Sequence, residues 1–214
     1  MSNPASLTTR LRADIVAGEL QPGERLVEID LMDRYAAPRR SIREALAELD
    51  KEGLIQRTAN RGASVRKISL EEAIEITEVR SLLEGFLAAN AAKVATDAER
   101  AELAALIERM AKAAGDDPFR TYPRLYQEFH HTLRAIDRHD TAADLVRTLR
   151  NRNAQLQFRT ALMPGRVEES LREHEAIASA IIDGDSRAAR RAMEKHLAAV
   201  VKALNAWHRS GAIA

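Results

Sequence analysis

The sequence predicts a mainly α-helical chain in two parts: a small N-terminal unit of three helices closed by a β-hairpin, then an antiparallel bundle of six helices. Three observations carry this. Apolar residues recur at helical spacing along most of the 214 residues. Strand-like alternation is confined to residues 54–67, on either side of Ala59-Asn60-Arg61-Gly62. From Ser69 onward, helix-start signals punctuate long amphipathic stretches with no convincing strand.

Leu7, Leu11, Ile15 and Val16 repeat along a first helix, which Gly18 ends. Gln21-Pro22-Gly23 reads as a turn. A short helix over 28–35 turns Leu31 and Met32 inward, and Ala36-Ala37-Pro38 interrupts it. Pro38 suits the first turn of a new helix, where its missing N–H costs nothing. That helix runs to about Lys51 with Ile42, Ala45, Leu46 and Leu49 on its inner face, and Gly53 stops it. Residues 54–58 and 63–67 then form the hairpin. The order of helix, helix, helix, hairpin over 5–67 is that of a winged helix-turn-helix.

At 67–70 the texture changes. Ser69 with Glu72 is a capping box that opens a helix to about Val94; Thr96 with Glu99 opens another to about Ala114. Further helices are expected over 118–137, 140–162, 167–183 and 185–209, which places an all-helical domain at 70–209. In Asp183-Gly184-Asp185, glycine ends one helix and Asp185 caps the next.

Composition narrows the chemistry. The absence of cysteine excludes disulfides and thiolate metal sites. No apolar run approaches the roughly 20 residues of a membrane span. The first residues lack a basic start followed by an apolar stretch, so a cytoplasmic protein without membrane contact is expected. Net charge is only +1. Residues 1–68 hold 12 Lys or Arg against 10 Asp or Glu, a weak excess, so the placement of charge matters more than its sum.

Placement is informative around 39–43. Arg39 and Arg40 open the second helix of the helix-turn-helix pair, and Arg43 lies one turn on. A recognition helix turns its N-terminal residues to base edges in the major groove. An arginine there donates two hydrogen bonds to guanine O6 and N7. Ser41 and the helix N-terminus suit phosphate. Arg61 and Gly62 at the hairpin tip suit the minor groove, and Arg57, Arg66 and Lys67 the backbone. The partner expected is a palindromic double-stranded operator bound by a homodimer, because a two-fold protein matches a two-fold site.

The blocks Gly18-Glu-Leu-Gln-Pro-Gly-Glu-Arg-Leu26, Ile42-Arg-Glu-Ala-Leu46, Glu52-Gly-Leu54 and Arg61-Gly-Ala-Ser-Val65 resemble the DNA-binding domain of GntR-family regulators. The family commonly has glycine at Ala36, Ser or Thr at Pro38, Thr at Arg40 and often Pro at Ser41. The scaffold is thus similar while the base-facing tips differ. In the second part, Glu78-Val-Arg-Ser-Leu-Leu-Glu84, Phe129-His130, Glu173-His-Glu-Ala-Ile177 and Met193-Glu-Lys-His-Leu197 resemble the FCD ligand-binding domain of the FadR branch, in its shorter, VanR-like, six-helix form.

His174 lies ten residues before Gly184 and His196 twelve after it. At about 1.5 Å per residue, both stand roughly 15–18 Å from the turn, at similar depth in an antiparallel pair. His130, on an earlier helix, completes a candidate set of three imidazoles suited to a divalent transition metal such as Zn²⁺ or Ni²⁺. The resemblance implies Asp or Asn four residues before the first histidine, where this chain has Tyr126. A neutral phenol is a poor ligand, which leaves a three-histidine site with water in the vacant position, a tyrosine that hydrogen-bonds the effector, or a weak or absent metal. Arg80 is expected to grip the carboxylate of a small organic acid, or else to pair with Glu84 one turn away. In a bundle of this kind Arg152, Asn153 and Arg159 are further lining candidates.

The resulting expectation is a DNA-binding transcriptional regulator, a repressor in the commoner logic of the family, controlled by a carboxylate-type metabolite with a divalent metal. The alternatives are the same regulator with a metal-free organic pocket, or a histidine–metal hydrolase. The hydrolase needs a general base that the sequence does not supply, and it leaves the winged domain unexplained, so no enzyme is expected.

Overall fold

The computed structural model describes residues 4–58, 62–154, 156, 160 and 163–210. The chain forms two compact units, one of Met1–Ala73 with Arg147–Phe158 and one of Ile74–Val146 with Arg159–Ala214.

In the first unit, α1 (Pro4–Ala17), α2 (Glu28–Tyr35) and α3 (Arg39–Lys51) stand with a sheet of β1 (Arg25–Leu26), β2 (Ile55–Thr58) and β3 (Gly62–Val65). The sheet order is β1-β3-β2, antiparallel throughout, with Ile55 opposite Val65 and Leu26 opposite Ala63. Most of the expected inward residues form the core, while Val16 is half-buried and Met32 packs against the core only in part. Leu7, Leu11, Ile15, Ile42, Leu49 and Val65 are all buried, each contributing about 1.5–3 kcal/mol by removal from water. Arg12 ties α1 to the end of α3 with a two-point fork to Glu52, at 2.8 and 2.6 Å. The neighbouring Glu52 raises the Arg12 pKa further, against the opposing cost of burial.

Two details depart from the sequence reading. Strand β1 was not expected, because two residues carry no periodicity and it exists only by pairing with β3. Pro38 stands one residue earlier than anticipated, as the extended N-cap of α3 at φ −64 and ψ 150. Its locked φ serves either position; the extended ψ excludes it from the first turn.

Ala36 closes α2 in the left-handed region, at φ 49 and ψ 48. Its Cβ makes that conformation costly, whereas glycine adopts it freely. Ala36→Gly is therefore expected to stabilise the chain by about 0.5–1 kcal/mol, the relief of strain exceeding the added freedom of the unfolded chain. Chemical denaturation of both forms checks this, and an unchanged or lower midpoint refutes it.

The second unit is built on α4 (Leu70–Val94, entered from the first unit), α5 (Asp97–Asp116), α6 (Thr121–Asp137), α7 (Asp140–Arg152, whose last turns belong to the first unit), α8 (Arg166–Ile182) and α9 (Ser186–Arg209). Leu87, Leu103, Met110, Phe129, Ile177, Met193 and Leu197 fill its core. The anticipated caps are present. Ser69 Oγ accepts from the Glu72 N–H, Thr96 and Glu99 form a reciprocal box, and the Asp185 side chain accepts from the N–H groups of Arg187 and Ala188. Arg100 donates to the carbonyls of Ala92 and Ala95 at the end of α4, and to those of Ile181 and Ile182 at the end of α8. One guanidinium thus satisfies orphan carbonyls at two helix C-termini, where a cation also complements the dipole. Helix α7 ends at Arg152, where a turn at Asn153 interrupts the helix expected over 140–162; the described residues beyond it, Ala154, Leu156 and Thr160, are again helical. Among the described residues, no helix is long and apolar enough to cross a membrane.

Candidate functional site

The first unit presents the arginines of α3. Arg39, Arg40 and Arg43 are exposed in its first turns, with side-chain exposures of 65, 90 and 61%. They emerge there because Ile42, Ala45, Leu46 and Leu49 take the opposite face into the core. Ser41 is half-buried beside them. Arg40 Nε donates to Glu44 one turn on, at 2.8 Å. Arg39 and Arg43 share one carboxylate from another helix: Arg39 Nε donates to Glu28 Oε2 at 2.7 Å and Arg43 Nε to Oε1 at 2.8 Å. These bonds, Arg43's first and then Arg39's, hold the Glu28 carboxyl below its ordinary pKa. Sequence reasoning missed Glu28, because 11 and 15 residues separate it from its partners and only the turn between α2 and α3 brings them together.

A cleft of about 700 Å³ lies between these helices and the sheet, lined by Arg25, Glu28, Arg39, Arg43, Arg57 and Gly62 among others. Gly62, at φ +80, has open space where a Cβ would stand. Arg61 lies outside the described residues. Arg57 and Lys67 are exposed, while Arg66 is half-buried and committed to Glu72 at 2.5 Å rather than offered outward.

In the second unit, α6, α8 and α9 bring His130, His174 and His196 together. All three are buried, and their ligating nitrogens lie within 4.8 Å of one another. His174 on α8 and His196 on α9 therefore meet at a common depth. On each ring, Nδ1 faces an oxygen. His174 Nδ1 donates to the Ser170 carbonyl at 2.6 Å, His196 Nδ1 donates to Glu173 Oε2 at 2.6 Å, and His130 Nδ1 lies 3.3 Å from Glu84 Oε2. Both carboxylates are held in turn by arginine. Arg80 Nε donates to Glu84 Oε1 at 2.7 Å, and Arg166 makes two bonds to Glu173 at 3.2 and 2.9 Å. Burial pushes the Glu173 carboxyl up, but His196 and Arg166 together outweigh it and hold the group below its ordinary value. Burial likewise pushes the His196 imidazole down, favouring the neutral ring against the pull of Glu173.

An acceptor at Nδ1 fixes the proton there and leaves the Nε2 lone pair as the donor, the arrangement that supports metal-bound histidine. His130 Nε2 and His174 Nε2 approach to 3.2 Å, a spacing that requires a proton or a cation between two such lone pairs. His196 Nε2 is buried without a hydrogen-bond partner among the described residues, which would be costly for a permanently empty site. These residues fit a divalent transition metal held by His130, His174 and His196, with Zn²⁺ or Ni²⁺ suited to an all-nitrogen set. The bound ion would supply Lewis acidity toward an anionic oxygen.

Tyr126 stands over the histidines, its ring centroid 4.7, 5.1 and 6.3 Å from those of His130, His174 and His196. Phe129 packs edge-on against His130 and His174. Arg80 is fully buried. Both readings of it have a counterpart in the geometry, since Nε pairs with Glu84 while Nη1 and Nη2 are buried without partners among the described residues. Arg152 and Asn153 belong to the first unit. The Arg152 side chain lies over Gly53, and buried Asn153 Nδ2 donates to the Ala73 carbonyl at 3.4 Å. Arg159 lies outside the described residues. The sequence did not disclose Glu173 and Arg166 as supports for a histidine. Glu173 neighbours His174 in the chain but serves His196 on the next helix, a relation that only the register of α8 on α9 reveals.

Residues 5–65 match the sequence model of the bacterial regulatory proteins of the gntR family, and residues 75–199 that of the FCD domain. The HTH-type transcriptional repressor RspR of Escherichia coli K12 is 29% identical over 187 residues, covering 87% of this chain and 82% of that protein. The HTH-type transcriptional repressor GlaR of the same organism is 26% identical over 195 residues, covering 87% and 89%. Among solved structures, E. coli McbR/YncC shares the fold with a TM-score of 0.82 at 18% identity, over 97% of this chain and 99% of that one.

Proposed function

Starting from a chain that belongs to the gntR family of bacterial regulatory proteins and carries an FCD domain, a DNA-binding transcriptional regulator and not an enzyme, we propose that a small carboxylate, bound with a divalent metal at His130, His174 and His196, sets its operator affinity. The observation that carries the DNA half is the exposed Arg39–Arg43 face of α3 beside the glycine-tipped hairpin. In this reading Arg39, Arg40 and Arg43 enter the major groove, Ser41 meets phosphate, and Arg61 and Gly62 meet the minor groove. The effector half rests on Arg80 Nη1 and Nη2 and His196 Nε2, buried and without hydrogen-bond partners among the described residues. The two Nη groups of Arg80 match a carboxylate as a planar fork, and the Tyr126 ring packs beside all three histidines, where its hydroxyl is a candidate donor to the effector.

Repression as the direction of control is carried over, as part of the proposal, from RspR and GlaR, which are transcriptional repressors. The working form is a homodimer. Val79, Leu82 and Phe86 repeat along one side of α4 and are 48, 70 and 41% exposed, an apolar stripe of the kind a second copy covers. An effector then acts by binding the two arrangements of the dimer unequally.

Selection from a random duplex library with the purified protein tests the reading. The enriched sequences are expected to form an inverted repeat, and small carboxylates with Zn²⁺ or Ni²⁺ are expected to change affinity for it. Enrichment of no motif, or of an unrepeated asymmetric one, overturns the dimeric operator-binding account.

A further inference from the structure

The first unit contains a feature that base reading by Arg39 and Arg43 does not itself require: a carboxylate inserted between the two guanidinium groups. We propose that Glu28 is a positioning residue for operator discrimination, holding Arg39 and Arg43 as one fork with a fixed direction. This inference rests on the reading that those two arginines face bases.

The geometry is specific. Both oxygens of Glu28 are used, one for each arginine, at 2.7 and 2.8 Å. Both bonds are made by Nε, so the edge formed by the two terminal amino groups is the one left to offer guanine O6 and N7. Glu28 is the first residue of α2, and its side chain is only 27% exposed, against 65 and 61% for its partners. The carboxylate is thus the fixed member and the arginines the steered ones.

Stability does not explain the arrangement. Exposed ion pairs contribute little to folding, since solvent screens them and ordering long side chains opposes them. Direction is another matter. Arg39 and Arg43 are one turn apart on α3, and two like charges at that spacing repel each other. Left alone, each would sweep many rotamers and meet the nearest phosphate, which carries no sequence information. A shared carboxylate removes the repulsion, narrows both side chains to one orientation and lowers the net positive charge that reaches the DNA backbone. The expected consequence is weaker binding to arbitrary DNA together with sharper choice among bases. Across residues 1–68 the basic excess is only two, so one carboxylate at the reading surface is a large part of the local field.

The test uses the full-length protein, the motif selected by the wild type, and a scrambled duplex of equal length. Glu28→Gln preserves shape and removes the charge. It is expected to bind the scrambled duplex about threefold more tightly and to steepen the logarithmic salt dependence by roughly one unit, because a guanidinium released from Glu28 takes up a phosphate. The ratio of selected to scrambled affinity is expected to fall about tenfold, the range of one misdirected arginine–guanine contact. Glu28→Asp, which keeps the charge but loses reach, is expected to restore the weak non-specific binding without restoring the discrimination. An unchanged ratio and salt slope in Glu28→Gln overturn the inference. So does an equal loss of affinity for both duplexes accompanied by a lower melting temperature, since that pattern marks Glu28 as a mere support for α2. Separately, an unaltered selected motif in the Arg39→Ala, Arg43→Ala double variant removes the underlying base-reading assignment, whatever Glu28 does.

Discussion

Arg39→Ala is expected to weaken binding to the selected operator by roughly 5- to 150-fold per half-site, the equivalent of about 1–3 kcal/mol for one lost bidentate contact to guanine. In a two-fold complex the loss counts twice. The size follows from what DNA leaves unpaired: guanine O6 and N7, already stripped of water in the complex, lose their donors when the guanidinium is removed. Folding is spared, because the Arg39 side chain is mostly exposed and its one bond runs to Glu28 at the surface. The measurement is a repeat selection with the variant, in parallel with titrations of selected and scrambled duplexes. The expected signature is one relaxed position per half-site with the rest of the motif intact. A uniform loss across all sequences would place Arg39 on phosphate instead. Arg40, 90% exposed and tied to its helical neighbour Glu44, serves as the comparison on the same turn.

The second large effect concerns the three histidines. His196→Ala is expected to abolish the binding of a divalent metal, with wild type carrying close to one ion per chain by elemental analysis. At free metal about 1,000 times Kd, an ion that binds only the folded state adds about 4 kcal/mol of stability. For a chain of this size that corresponds to roughly 8–16 °C in melting temperature. Wild type stripped with a chelator should recover this shift on adding Zn²⁺ or Ni²⁺, and the variant should show none. Glu173→Gln tests the support separately, since weakening the partner of a ligating histidine typically costs 10- to 100-fold in metal affinity. Wild type that arrives without metal and melts at the same temperature in its presence would assign the 3.2 Å contact between His130 and His174 to a shared proton, and leave a metal-free pocket for the effector.

Much of this architecture is legible in the sequence, and the reasons are local. The starts of α5 and α9 follow from Thr96, Glu99 and Asp185, whose side chains act on backbone groups two or three residues away. The common depth of His174 and His196 follows from counting residues to Gly184, because the helical rise is fixed. What escapes the sequence is set by contacts distant along the chain. Strand β1 exists only through β3. The break after α7 at Asn153 and the packing of Ala154 against the core of the first unit accompany the bond from Asn153 to the Ala73 carbonyl, a distant contact that periodicity does not report. The same holds for the supports of the site. Glu28 serves α3, Arg166 steadies a carboxylate seven residues on, and that carboxylate serves the following helix.

The oxygens nearest the histidines are spent on the far side of the rings. Glu84 and Glu173 face Nδ1 atoms and arginines, so the three converging ligand atoms are all nitrogen. Mg²⁺ and Ca²⁺ are hard ions that seek oxygen, and such a cage offers them little to hold, however abundant they are in a cell. Occupancy would therefore follow the scarce pool of borderline-soft ions, and the operator response would be blind to swings in the alkaline earths.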